Sequence, residues 1–303
     1  MNRQRREPRV PTTHVNGIEI EFVTEGDPAD PALLLVMGLG GQLTAWPQGF
    51  VDGLRDHGFF VIRFDNRDSG LSTKLEGLPD LTAMITAWFR GESPPAAPYW
   101  VEDMADDAAA LLTELGIQRA HVVGVSMGGM ITQALVINHP ERFLSACSIM
   151  STTSDWSTGV PAGEALTALL RPVASSREEA IEASLAGSRA IGSPRYPTDE
   201  AVLRARAAAA YDRSYCPEGT VRQIAAILAS PDRTEGLHSV RLPFLVVHGE
   251  DDPLLPLGGG QATAAAVPGS KLLTIPGMGH DLPEPLWGTI TDAIVDNIAL
   301  SSL

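Results

Sequence analysis

Ser126 stands in Gly124-Val125-Ser126-Met127-Gly128, after the apolar run Ala120 to Val125 and before a helical pattern, Gly129 to Ile137, that stops at Pro140. Strand, sharp turn and helix in that order form the setting in which a G-x-S-x-G pentapeptide exposes its serine Oγ for attack. The two glycines let strand and helix approach closely. The pentapeptide by itself also fits an ordinary glycine-rich turn; its flanks favour a nucleophile.

A serine hydroxyl attacks poorly at neutral pH unless a base takes its proton and a third group orients the base. On a strand–elbow–helix frame the acid follows a later strand and the histidine comes near the C-terminus. The chain has seven histidines, and His280 alone follows the last apolar run, in Pro276-Gly277-Met278-Gly279-His280-Asp281, where the glycines suggest a mobile loop. His121 and His139 read as structural and His57 as solvated, whereas His248 is a competitor placed at the acid's strand. After Phe244 to Val247 come Glu250, Asp251 and Asp252. Asp252 is the first choice for the orienting carboxylate because Asp252-Pro253 ends the turn. Asp251 is second and Glu250 third.

The oxyanion of a tetrahedral intermediate needs backbone donors. The Met127 N–H, at the start of the elbow helix, supplies one with the helix dipole behind it. The second falls to the Leu39 N–H in Gly38-Leu39-Gly40-Gly41, although glycines at a strand end also make plain turns.

These residues need a frame that brings strand ends together. Val15 to Val23 reads as a hairpin turning at Asn16-Gly17, and Ala32 to Met37 and Phe59 to Phe64 as strands buried on both faces. Leu144 to Met150, Pro243 to Val247 and Lys271 to Ile275 continue the series, with helices at Phe50 to His57 and Val101 to Leu115 between. Strand alternating with helix predicts an α/β fold with a mostly parallel central sheet flanked by helices. The stretch from about Asp155 to Leu237 is alanine-rich and helical. It reads as an inserted helical cap at 156–237, dividing a core of 1–155 and 238–303. Trp88, Tyr99, Trp100 and Trp156 are candidates to line the pocket, with helix packing as their other reading.

Bulk properties narrow the partners. A net charge of −15 over 303 residues disfavours nucleic acid and anionic membranes. No apolar run reaches the length of a membrane span. The basic stretch Met1 to Arg9 is not followed by an apolar segment, so it reads as a frayed leader and the compartment as cytoplasmic. Cys147 and Cys216, far apart, read as free thiols. No metal-ligand spacing appears, and no cofactor is implied. Oligomeric state is not legible.

Asp65 to Ser72, Ala120 to Gly129 and Pro276 to His280 resemble the α/β-hydrolase superfamily, and the chain is most similar to methylesterases of the aclacinomycin type. The resemblance implies the α/β-hydrolase fold, a triad of Ser126, Asp252 and His280, and an oxyanion hole at Leu39 and Met127. The substrate it implies is a small apolar carboxylic ester, a methyl ester or lactone included. Two features depart from the family. Met37-Gly38 replaces the usual His-Gly before the oxyanion loop, and the stretch from Ser72 to Tyr99 is longer. A C–C hydrolase, a cofactor-free perhydrolase or a ligand receptor would carry the same residues. Ser126 at the elbow argues against dehalogenases and epoxide hydrolases, which place a carboxylate there.

Overall fold

The computed structural model describes residues 11–302 apart from 91, 93, 162 and 170–172; the basic leader falls outside the described residues. Eight strands form one sheet: β1 (Thr12–Val15), β2 (Ile18–Glu25), β3 (Ala32–Val36), β4 (Phe60–Phe64), β5 (Ala120–Val125), β6 (Phe143–Ile149), β7 (Phe244–Gly249) and β8 (Lys271–Ile275). Their order is β1-β2-β4-β3-β5-β6-β7-β8. β1 and β2 pair antiparallel to their neighbours, while β3 to β8 run parallel. The hairpin turns at Asn16 (φ 50°) and Gly17 (φ 81°), the two left-handed residues of a type I′ turn.

The continuous apolar strands are explained by alternation between two cores. In β3, Leu34 and Val36 join one cluster while Leu33 and Leu35 join the other, and all four are fully buried. Val122 against Val123 in β5 and Val246 against Val247 in β7 divide the same way. Each such side chain contributes about 1.5–3 kcal/mol of hydrophobic stabilisation.

Helices cover both faces. α1 (Gln48–Asp56) lies on one; α2 (Leu81–Phe89) and α3 (Val101–Glu114) follow β4, and α4 (Met127–Asn138) follows β5. Between β6 and β7 the described residues hold only helices, chiefly α5 (Gly163–Leu169), α6 (Arg177–Ile191), α7 (Glu200–Arg213), α8 (Pro217–Ala229) and the short α9 (Thr234–Leu237). α10 (Leu257–Ala266) and α11 (Trp287–Ala299) complete the chain. α3 and α4 pack into the first core, and α1 and α11 into the second. α2, α10 and α11 are not among the helices that the sequence pattern predicts. No described helix is long and apolar enough to cross a membrane.

Because β3 to β8 are parallel, their C-terminal ends share one edge of the sheet. The loops beginning at Met37, Asp65, Ser126, Met150, Glu250 and Pro276 all leave from that edge.

Candidate active site

Ser126 joins β5 to α4 with φ 56° and ψ −122°, a left-handed conformation that a non-glycine residue adopts only under restraint. The restraint is visible. Its N–H donates to Ile149 O (2.9 Å), and its carbonyl accepts from Gly129 N (2.8 Å) and Ser151 Oγ (2.8 Å). The glycines on either side have no room for a methyl group. A Cβ on Gly124 would collide with the Gly128 carbonyl and Thr132 Oγ1, and one on Gly128 with the Val36 carbonyl.

Three of the sequence-predicted residues meet here. Ser126 Oγ–H donates to His280 Nε2 at 2.9 Å, and His280 Nδ1–H donates to Asp252 Oδ2 at 2.7 Å. This tautomer follows from the bonds, since a carboxylate only accepts. The second Asp252 oxygen accepts from Leu254 N and Leu255 N, both at 2.9 Å. The neighbouring acids have other partners: Asp251 Oδ2 accepts from Gly277 N, and Glu250 Oε1 from Thr274 Oγ1.

His248 is fully buried and stands 3.6 Å from Asp252 Oδ2. Its Nε2–H donates to Leu255 O (2.7 Å), and its ring packs against Gly260, so it braces the loop of Asp252 from behind. Burial pushes its pKa down and keeps it neutral. His121 lies within β5 against Ser145 Oγ, His139 pairs with Asp106, and His57 Nδ1 meets Gly53 O.

The loop carrying His280 is pinned, whereas its glycines had suggested mobility. His280 N donates to Ile191 O (2.7 Å) and Gly279 N to Ser193 Oγ (2.9 Å), both partners at the end of α6. Gly279 also lies so close to Gly192 that a side chain would strike its backbone.

Gly38 sits beside Ser126: a Cβ there would lie 3.1 Å from Ser126 Cβ and 3.6 Å from its Oγ. Among the described residues the Leu39 N–H donates to no protein acceptor, and the Met127 N–H, first in α4, has no intrahelical acceptor. Met37 turns its buried side chain under Gly41, and its carbonyl accepts from Asn66 Nδ2 (2.9 Å).

The four aromatic candidates lie elsewhere. Tyr99 is buried, with its hydroxyl donating to Asp68 Oδ2 (2.7 Å) and Arg67 above its ring. Trp100 is 51% exposed and caps α3. Trp88 and Trp156 meet edge to face at 5.9 Å. A cavity of about 550 Å³ runs from Gly40 between α2 and the helices α5 to α8, lined by Leu81, Ile85, Tyr211, Tyr215, Cys216, Val221 and Ile224 among others. None of the four lines it, and none of the described residues that do is charged. Tyr211 and Tyr215 stack at 4.7 Å beside it. Sequence alone does not single out these residues, because helix periodicity gives them the same signal as packing positions.

The comparisons with known proteins agree with this frame. Residues 31–284 match the family model described as alpha/beta hydrolase fold. Rhodomycin D methylesterase of Streptomyces sp. (strain C5) is 28% identical, over 93% of this chain and 97% of its own length. 3-Oxoadipate enol-lactonase 2 of Acinetobacter baylyi is 27% identical, over 82% of each chain. The solved enol-lactonase of Burkholderia xenovorans superposes with a TM-score of 0.72 at 23% identity, covering 95% of this chain and 100% of its own.

Proposed function

Because this chain belongs to the alpha/beta hydrolase fold family, we propose that it hydrolyses a carboxylic ester, with Ser126 as nucleophile, His280 as general base and Asp252 as its orienting acid. One observation carries the reading: the unbroken hydrogen-bonded line from Ser126 Oγ through His280 to Asp252, beside two unsatisfied N–H groups.

In this mechanism His280 Nε2 takes the Ser126 proton as Oγ attacks the ester carbonyl. The negative charge moves to the carbonyl oxygen, which the Leu39 and Met127 N–H groups stabilise. Asp252, accepting from Nδ1–H, stabilises the imidazolium without taking its proton. The imidazolium gives its proton to the leaving alkoxide, and an acyl-enzyme remains. His280 then deprotonates water, which attacks the acyl carbonyl, and the carboxylic acid leaves as Ser126 recovers its proton.

The cavity that opens at Gly40, one residue from Leu39, has no charged side chain among its described lining residues and mixes apolar groups with Gln42, Ser184, Ser214 and Thr220. That lining supports a small uncharged ester as substrate, although Ser126 and His280 do not themselves line it. Residues 156–237 act in this reading as a cap over the cleft. A methyl ester or an enol lactone agrees with the names of the similar methylesterase and enol-lactonase. The test is hydrolysis of a p-nitrophenyl acyl series from acetate to laurate, with methyl esters and an enol lactone alongside. Turnover by the wild-type chain supports the hydrolase. Binding of ester without turnover identifies a receptor instead.

A further inference from the structure

Gln223, on α8, is fully buried 183 residues away in sequence from the loop it serves. Its Oε1 accepts the Gly40 N–H at 2.8 Å. Its amide nitrogen donates to Arg67 O (2.8 Å) and Ser69 Oγ (3.0 Å), so both donors are used. Arg222, the residue before it, forms a buried ion pair with Asp68 at 2.7 Å. One turn of α8 therefore grips the loops following β3 and β4 together.

The bond to Gly40 falls at a sensitive place. Gly41 N donates to Gly38 O (3.1 Å), which makes residues 38–41 a β-turn, and Gly40 has φ +64°. A left-handed residue at the third position defines a type II turn. Types I and II differ by a flip of the central peptide, here Leu39–Gly40. Gln223 holds the N–H of that peptide. The adjoining peptide carries the Leu39 N–H, beside Ser126.

We propose that Gln223 is a positioning residue for the oxyanion hole. By holding the Gly40 N–H it anchors the 38–41 turn from above, and so keeps the neighbouring Gly38–Leu39 peptide, with its N–H, in place beside Ser126. The inference rests on the hydrolase reading above. It makes the helical segment part of the catalytic geometry as well as the wall of the cavity: a displacement of α8 releases the Gly40 bond and lowers turnover.

The test uses full-length wild type, Ser126→Ala, Gln223→Met and Ser69→Ala, each with kcat, KM, Tm and affinity for phenylboronic acid, which forms a tetrahedral adduct on a nucleophilic serine. Gln223→Met preserves volume and removes all three bonds. Its kcat is expected to fall about 10- to 100-fold, with KM within about twofold, since only a transition-state contact is weakened. Boronate affinity should weaken by a similar factor, which a loss of packing alone would not produce. Ser69→Ala removes one anchor of the Gln223 amide and should lower kcat a few-fold with KM unchanged. If Gln223→Met fails to fold, Ser69→Ala decides the matter: a lowered kcat at unchanged KM supports the inference, and wild-type kcat overturns it. A folded Gln223→Met with wild-type kcat, or with raised KM alone, also overturns it. A wild type no faster than Ser126→Ala overturns the hydrolase reading and this inference with it, whereas an active wild type matched by Gln223→Met overturns this inference alone.

Discussion

His280 Nδ1 lies 2.7 Å from Asp252 Oδ2, and the carboxylate it faces is held at its other oxygen by the N–H groups of Leu254 and Leu255. Three donors thus fix the plane of Asp252, and that plane fixes the imidazole. The acid is held by its own loop, by His248 behind it and by the histidine in front.

This arrangement separates Asp252 from its neighbours in the acidic loop. Asp252→Asn presents an amide to Nδ1, favours the wrong tautomer and should lower kcat by about 10³–10⁴-fold. Asp251→Asn affects a bond to Gly277 N and should leave kcat near wild type. Steady-state hydrolysis of one p-nitrophenyl ester by both variants checks the choice. Equal losses would contradict it.

His121 predicts how stability responds to acid. Burial in β5 lowers its pKa from 6.5 to about 4, with Arg119 adding to the effect. Between those values the unfolded chain binds a proton that the folded chain refuses, so stability falls as pH drops through the interval. The loss approaches about 3 kcal/mol at its lower end. His121→Gln removes the titration and keeps a polar group for Ser145. Urea midpoints at pH 7.5 and 4.5 should differ less for this variant than for wild type; equal differences would contradict the assignment.

Asp281 acts with the opposite sign. Its carboxyl is half-buried beside the α6 end, and that desolvation raises its pKa against the bonds from Ser193. The folded state then holds a proton that the unfolded state releases. The stabilisation is present below the ordinary carboxylate range and is lost as pH rises through the raised value. Asp281→Asn keeps an oxygen to accept from Ser193 and does not ionise. It should gain stability relative to wild type on going from pH 4.5 to pH 7.5, read from the same urea midpoints. An unchanged difference would rule this out.

Much of the site was legible because its signals are local. Ser126 is announced by its own strand and helix, His280 by following the last strand, and Asp252 by the Asp-Pro turn. β3, β5 and β7 were readable because side chains alternating between two cores leave an unbroken apolar run.

What stayed hidden is held together over long separations or masked by composition. Gln223, Asn66 and Ser193 owe their roles to partners far along the chain, which no local pattern encodes. α10 opens with Leu257-Gly258-Gly259-Gly260, which reads as a loop. In the fold these glycines are close approaches: side chains at 258 and 260 would strike the Thr158 carbonyl and the His248 ring. The helix accepts poor local propensity to pack against β7 and the loop behind it. α2 is apolar on nearly every side and offers no clear helical period.

In the proposed mechanism Ser126 carries the acyl group. The most direct test treats wild type, His280→Ala and Ser126→Ala with a p-nitrophenyl alkylphosphonate and reads intact mass and the modified peptide. Wild type is expected to carry one phosphonyl adduct, located at Ser126. Labelling should slow by orders of magnitude in His280→Ala and be absent in Ser126→Ala. A wild type hydrolysing esters with the adduct on another residue, or a Ser126→Ala variant that is labelled and turns over like wild type, would contradict it.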